Sequence, residues 1–277
     1  MPSRSIDTLI SLGATALKDV AQRPRREAEI LLGSILDKDR LYLITHGSEE
    51  VEASLYEEFL ARRAKNEPIE YITSRVSFFS QDFYIAKGAL IPRPETEILI
   101  EKLLEKLDID TKESIVEVGV GSAIISIVLA QHLDSASFLA TDISEDAIKI
   151  AKINLEEKQM DKRIQIVQTD LLKDVDKKID ILVSNPPYIE DGVELESNLD
   201  YEPQNALYGG KVGDEILKRL IDEAFSRDVR ILACEMGYDQ KEKIESYCKN
   251  KKYKSLEFYK DYAAFDRGFI LEIRDES

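Results

Sequence analysis

Apolar positions recur with a helical period up to about residue 65, and the period then changes. Ile6, Leu9, Ile10 and Leu17 lie on one face of a first helix that Ser5 or Asp7 caps. A second helix follows Pro24, with Ala28, Ile30, Leu31, Leu32, Ile35 and Leu36 inward. Asp39 caps a short third helix through Leu41, Leu43 and Ile44, and a fourth spans 50–65 with Val51, Leu55, Phe59 and Leu60 at helical spacing. This bundle carries no evident chemistry; it is a partner-recognition module or a packing module. From 67 to 90 the pattern becomes extended: Pro68 to Ile72 reads as strand, and Phe78-Phe79 and Phe83-Tyr84-Ile85 flank a turn at Ser80-Gln81-Asp82, a β-hairpin joining two parts of the chain.

Beyond residue 90 short apolar runs alternate with amphipathic helices. A helix starts at Pro94, where proline suits the first turn and Glu95 and Glu97 favour the positive end, and continues through Ile98, Leu99, Leu103, Leu104 and Leu107. Strands are expected at 114–119, 136–142, 164–169, 179–185, 229–236, 254–259 and 268–273, with helices at 123–132, 144–157, 213–227 and 239–250. Strand–helix alternation implies a mostly parallel sheet covered on both faces, so the fold class is α/β, a doubly wound seven-stranded sheet preceded by a small helical bundle. The expected division is 1–68 for the bundle, 69–90 for the hairpin linker and 91–277 for the α/β domain.

Composition narrows the range of functions. The 277 residues are 43% hydrophobic and 33% charged, enough for a sizeable core. With 38 Lys+Arg against 54 Asp+Glu the net charge is −16, which argues against extensive phosphate-backbone contact and against a stable nucleic acid partner. No apolar run has membrane-spanning length and the start of the chain carries no apolar signal region, so no membrane partner is expected. Cys234 and Cys248 have neither metal-ligand spacing nor the pattern of a disulfide framework, which fits a reducing cytoplasm.

The stretch richest in chemistry is Ser184-Asn185-Pro186-Pro187-Tyr188. Two prolines cannot donate to a ladder, so the strand before them stops at Asn185. In an open α/β sheet the carboxyl ends of strands are where ligands bind. Asn185 and Pro186 offer two carbonyl acceptors side by side, suited to an –NH2 group conjugated to a π system, and Tyr188 can lie against its flat face. Glutamine, adenine and cytosine all carry such a group.

The first strand ends in Glu117-Val118-Gly119-Val120-Gly121-Ser122-Ala123-Ile124. Glycines 119 and 121 permit a tight turn and close ligand approach, and the following helix N-terminus suits a carboxylate. Ile124 occupies the third glycine position of a dinucleotide fingerprint, and no Lys-Ser/Thr pair makes a P-loop. Asp142, beside Ile143 at the end of the next strand, suits two ribose hydroxyls. Glu117 suits an ammonium group, and Asp170, before Leu171, an adenine amine. In this order the features describe S-adenosylmethionine.

With these residues the chain resembles the peptide chain release factor glutamine methyltransferases, the HemK/PrmC family, over nearly its whole length. The carriers are Ile91-Pro92-Arg93-Pro94-Glu95-Thr96-Glu97, the glycine loop, Asp142, Asn185 to Tyr188, Glu202-Pro203 with Ala206-Leu207 and Gly209-Gly210, and the linker from Arg63 to Ile72. The resemblance implies a class I methyltransferase fold, S-adenosylmethionine as methyl donor without a metal, and class 1 peptide chain release factors as partners. The acceptor is the side-chain nitrogen of the glutamine in their Gly-Gly-Gln motif. By matching positions Gly119 to Ala123, Asp142, Asp170 or Leu171, and Asn185 contact the donor, while Asn185, Pro186, Pro187 and Tyr188 hold the glutamine. Ala123 and Ser74 stand where the family usually has glycine, and Leu171 where an aromatic is common.

No histidine base is expected, since His46 lies in the helical part and His132 near a helix end. Holding both amide hydrogens and aiming the nitrogen replaces strong-base chemistry. Two other readings use the same residues. An adenine-N6 or cytosine-N4 nucleic acid methyltransferase requires a basic groove, against which the charge weighs. A non-catalytic binding protein of the same fold is suggested only by Ala123.

Overall fold

The computed structural model describes residues 3–275. Two compact units emerge: one runs up to Arg75 and takes in Leu195–Tyr201, and the other comprises Val76–Glu194 and the chain from Glu202 onward.

The first unit contains β1 (Ser3–Ser5), α1 (Ile6–Ala16), α2 (Pro24–Leu36), α3 (Arg40–Thr45), β2 (Glu50–Glu52), α4 (Ser54–Arg63) and α5 (Ile69–Thr73). Ser5 caps α1 by accepting the Thr8 N–H, and Asp39 caps α3 by accepting that of Tyr42. Ile6, Leu9, Leu31, Leu32, Leu43, Tyr56, Leu60 and Ile72 share one core.

Three expectations are corrected here. Residues 50–52 are not the first turn of the fourth helix but a strand paired antiparallel with β1, Ser3 opposite Glu52. The exposed–half-buried–exposed order of Glu50, Val51 and Glu52 is the period of a strand. Residues 69–72 are not extended: Tyr71 and Ile72 are consecutive and both buried, which a helical turn allows and an alternating strand does not. The inward positions also differ. Leu41 and Ile44 are 66% and 62% exposed, Ile30 and Leu55 also reach solvent, and the fully buried Tyr56 takes the place on α4.

The chain enters the second unit through a hairpin, β3 (Arg75–Phe78) and β4 (Gln81–Tyr84), of which all but Arg75 belong to that unit. Its turn is Phe79-Ser80, both with positive φ (50° and 58°), so Gln81 and Asp82 belong to the strand rather than to the turn as expected. Mirror-image two-residue turns match the strand twist, and Glu97 anchors this one by accepting the Phe79 N–H at 2.7 Å.

Then follow α6 (Pro94–Leu104), β5 (Ser114–Val118), α7 (Ile124–His132), β6 (Ser137–Asp142), α8 (Glu145–Glu157), β7 (Ile164–Gln168), β8 (Ile181–Ser184), β9 (Ile189–Glu190), β10 (Tyr208–Gly210), α9 (Glu215–Ser226), β11 (Ile231–Glu235), α10 (Lys241–Cys248), β12 (Ser255–Lys260) and β13 (Asp266–Glu272). Seven strands form one sheet in the order β12-β13-β11-β8-β5-β6-β7. All are parallel except β13, which runs antiparallel to β11 and β12. This is the expected α/β architecture, a seven-stranded mostly parallel sheet of the class I methyltransferase type.

The strand order places the site. From β5 the chain winds outward through β6 and β7, then returns to β5's other side as β8. The connections therefore diverge between β5 and β8, which opens a crevice at their carboxyl ends. Val118 and Ser184 are register partners there, and the Ser184 hydroxyl donates to the Val118 carbonyl at 2.7 Å. The loop after β5 and the turn after β8 are thus fixed as neighbours.

Candidate active site

A cavity of about 340 Å³ lies at that switch point, within the second unit. Its size is that of a small-molecule site.

One wall is the loop between β5 and α7. Gly119 and Gly121 adopt φ of 77° and 52°, and a Cβ on either would meet open space, as expected where a ligand comes against the backbone. Gly119 and Val120 both donate to the Thr141 carbonyl, at 2.8 and 2.9 Å. Asp142 completes the cradle: one oxygen accepts the Gly121 N–H at 3.0 Å and the other that of Ser144 at 2.8 Å. Each carboxylate oxygen keeps a further lone pair for a hydroxyl donor.

Glu117 is 1% exposed and accepts the Ser126 N–H at 2.9 Å and, closely, the Ser126 hydroxyl. Burial pushes its carboxyl up to about 8, with Asp142 adding to the rise and Ser126 opposing it. Asp170 forms an ion pair with Arg219 at 2.9 Å, and Leu171 adopts φ 50°.

The opposite wall is the turn after β8. Asn185 donates through Nδ2 to the Thr96 hydroxyl at 3.0 Å. Thr96 donates to Glu235 Oε2 at 2.7 Å, and the Tyr188 hydroxyl donates to Glu235 Oε1 at 3.3 Å. Burial raises the Glu235 carboxyl to about 7, opposed by Thr96, Arg267 and Tyr188. Burial also raises the Tyr188 phenol. Gln240 donates to the carbonyls of both Tyr188 and Gly213 at 3.0 Å, which ties β9's entry to α9's. At Gly209 a Cβ would sit 2.4 Å from the Pro187 carbonyl oxygen, so only glycine lets β10 approach the prolines.

Among the residues expected at the site, Glu117, Gly119, Val120, Gly121, Ser122, Asp142 and Ile143 reach the cavity wall, and so do Asp170, Leu171, Asn185, Pro186 and Pro187. Ala123 is fully buried behind the loop at φ 64°, and Tyr188 turns its hydroxyl toward Glu235; neither is among the wall residues. Sequence reasoning did not identify Glu235 or Gln240. The only sequence signal for Glu235 is an acid closing an otherwise apolar strand, Ile231-Leu232-Ala233-Cys234.

Among the described residues no group of three or more His, Cys, Asp and Glu is placed to hold a metal ion. No described helix is long and apolar enough to cross a membrane.

Comparison with known proteins agrees with this geometry. The profile of the Methyltransferase small domain matches residues 94–200, and that of the PrmC N-terminal domain matches residues 8–73. The chain is 36% identical over 259 residues to the release factor glutamine methyltransferase of Clostridium acetobutylicum, covering 90% of each chain. It is 34% identical over 253 residues to that of Clostridium botulinum, covering 87% of this chain and 89% of the relative. Among solved structures, a methyltransferase from Pyrococcus furiosus superposes with a TM-score of 0.54 at 19% identity, over 78% of this chain and 98% of the other, a likeness of fold.

Proposed function

This chain belongs to the release factor glutamine methyltransferase family, and we propose that it transfers a methyl group from S-adenosylmethionine to the side-chain amide nitrogen of the Gly-Gly-Gln glutamine in class 1 peptide chain release factors. The observation that carries this reading is the meeting, in one cavity, of a glycine and aspartate cradle with Asn185 and Pro186. The proposed place of action is the cytoplasm, where release factors work.

The residues present fit the donor. The open backbone at Gly119 and Gly121 admits its methionine part, and Asp142 has lone pairs for its ribose hydroxyls. Ile143, 63% exposed on the cavity wall, and Leu171 offer apolar faces to its base. When bound, S-adenosylmethionine supplies an electrophilic methyl group on a sulfonium sulfur.

The rest of the work belongs to the protein. An amide nitrogen is a poor nucleophile because its lone pair is delocalised. Asn185 Oδ1 and the Pro186 carbonyl accept the two N–H groups and aim the nitrogen into the cavity. Their dipoles stabilise the positive charge that nitrogen acquires as the N–C bond forms and the C–S bond breaks. Full in-line placement of two reactants can supply about 7–11 kcal/mol, and these two acceptors hold a part of it. The proton leaves for solvent after the methyl has arrived, so no strong base is required. The amide product and neutral sulfur by-product then depart.

Asn185→Ala tests the assignment. Turnover on a release factor drops by about 10²–10³-fold, a larger loss than the fall in calorimetric binding of S-adenosylmethionine. Activity within a few-fold of the parent contradicts the role of Asn185.

A further inference from the structure

Three residues that lie far apart in the chain meet at the acceptor wall, Thr96 and Asn185 lining the cavity and Glu235 behind them. Thr96 is on the first turn of α6, Asn185 just beyond β8, and Glu235 is the last residue of β11. Thr96 and Glu235 are 2% and 1% exposed, and Glu235 is not among the wall residues, so it acts only through its neighbours.

The chemistry of each group restricts the next. A carboxylate only accepts hydrogen bonds. The Thr96 hydrogen is therefore committed to Glu235, 2.7 Å away. The Thr96 oxygen is left with lone pairs toward Asn185, 3.0 Å away, and Asn185 must meet it with its NH2 end. Rotating the carboxamide by half a turn would set Oδ1 against the Thr96 oxygen, acceptor to acceptor. It would also present NH2 to the cavity, where an incoming amide offers hydrogens of its own. Buried polar groups left in such a clash are costly.

We propose that Glu235 and Thr96 are positioning residues that fix the Asn185 carboxamide with Oδ1 toward the methyl acceptor. The same carboxylate holds the Tyr188 hydroxyl at 3.3 Å, so one buried acid steadies both ends of the Asn185-to-Tyr188 turn. Neither residue takes a proton from the substrate. This inference rests on the reading of Asn185 as the group that receives the glutamine amide.

The test is steady-state methyl transfer to a purified class 1 release factor by the full chain, with S-adenosylmethionine binding measured by calorimetry. Thr96→Val keeps the shape and removes the hydroxyl. It lowers kcat by about 10–10²-fold and leaves donor binding within about twofold. Thr96→Ser, which restores the hydroxyl, returns to within about threefold of the parent. In an Asn185→Ala background Thr96→Val costs no further factor beyond about twofold, because nothing is left to orient. Glu235→Gln, whose side chain can also turn its nitrogen to Thr96, gives an independent loss in kcat.

Thr96→Val within twofold of the parent while Asn185→Ala is crippled overturns the inference and leaves the role of Asn185 standing. The same loss in both backgrounds also overturns it, since that marks a general structural effect. Asn185→Ala with parental activity overturns the underlying reading and the inference together.

Discussion

Glu202 Oε1 lies 2.6 Å from Arg93 Nη2, and its second oxygen accepts the Ile91 N–H at 3.0 Å. The loop before β10 is thereby fastened to the segment that carries Thr96 into the site. Glu202 is buried, so its removal strands a guanidinium and a backbone N–H. Glu202→Ala is expected to destabilise by about 2–4 kcal/mol in urea unfolding and to raise KM for the release factor more than it lowers donor binding. Glu202→Gln keeps the Ile91 bond and loses the charge, so it should cost about half as much. A Glu202→Ala protein with parental stability would contradict this anchoring.

Two positions adopt left-handed backbone with a side chain, Ser74 at φ 56° and Ala123 at φ 64°. The strain is similar, about 1 kcal/mol each. The packing is not: the Ala123 methyl is fully buried, and deleting a buried methyl costs about 0.8 kcal/mol. Ser74 is only half-buried. Ser74→Gly should therefore stabilise by about 0.5–1 kcal/mol, whereas Ala123→Gly should fall within about 0.5 kcal/mol of the parent. Calorimetric Tm values check both. Equal gains at the two positions would show that burial does not offset strain at Ala123.

Stability should fall with rising pH through the titration of Glu117. Its folded-state carboxyl is raised from 4.5 to about 8, so the folded chain holds this proton more tightly than the unfolded chain. Its contribution is fully present below 4.5 and is lost as pH rises through about 8. Glu117→Gln can still accept from Ser126 and does not titrate. Urea midpoints at about pH 6 and about pH 9 should differ less in Glu117→Gln than in the parent. The same difference in both proteins would assign the pH dependence to another group.

Turnover has an expected pH dependence of its own. Only ionised Glu235 is restricted to accepting. Once protonated, below about 7, it can donate to Thr96 and release the direction that orients Asn185. Thr96, Tyr188, Tyr259, Arg267 and Glu95 face this carboxyl, and Arg267 favours the charged form. The parent's kcat should decline as pH falls through about 7, and Glu235→Gln should lack that limb. A limb that survives in Glu235→Gln would belong elsewhere.

The sheet was readable from the chain because its strands are apolar, β-branched and separated by amphipathic helices; Ile181–Ser184, for instance, announces itself by the prolines that end it. Gly119, Gly121 and Asp142 were readable for a related reason, since turn chemistry at a strand end is local. The β1–β2 ladder was not, because each strand has only three residues and their partners are 45 or more positions apart. The turn at α5 was misjudged because Ile, Tyr and Thr favour strands in isolation, while the core of the first unit takes Tyr71 and Ile72 together. The relay behind Asn185 was invisible: Thr96 and Glu235 are 139 residues apart, and nothing local to either points to the other.

The central claim is best tested by transfer of labelled methyl from S-adenosylmethionine to a purified class 1 release factor, beside a variant whose Gly-Gly-Gln glutamine is alanine, with duplex DNA and RNA in parallel. Label on the parent factor, none on the variant and none on nucleic acid is the predicted result. Label on nucleic acid alone would contradict the claim about the acceptor while keeping the donor site, and no label anywhere would contradict the proposed activity itself.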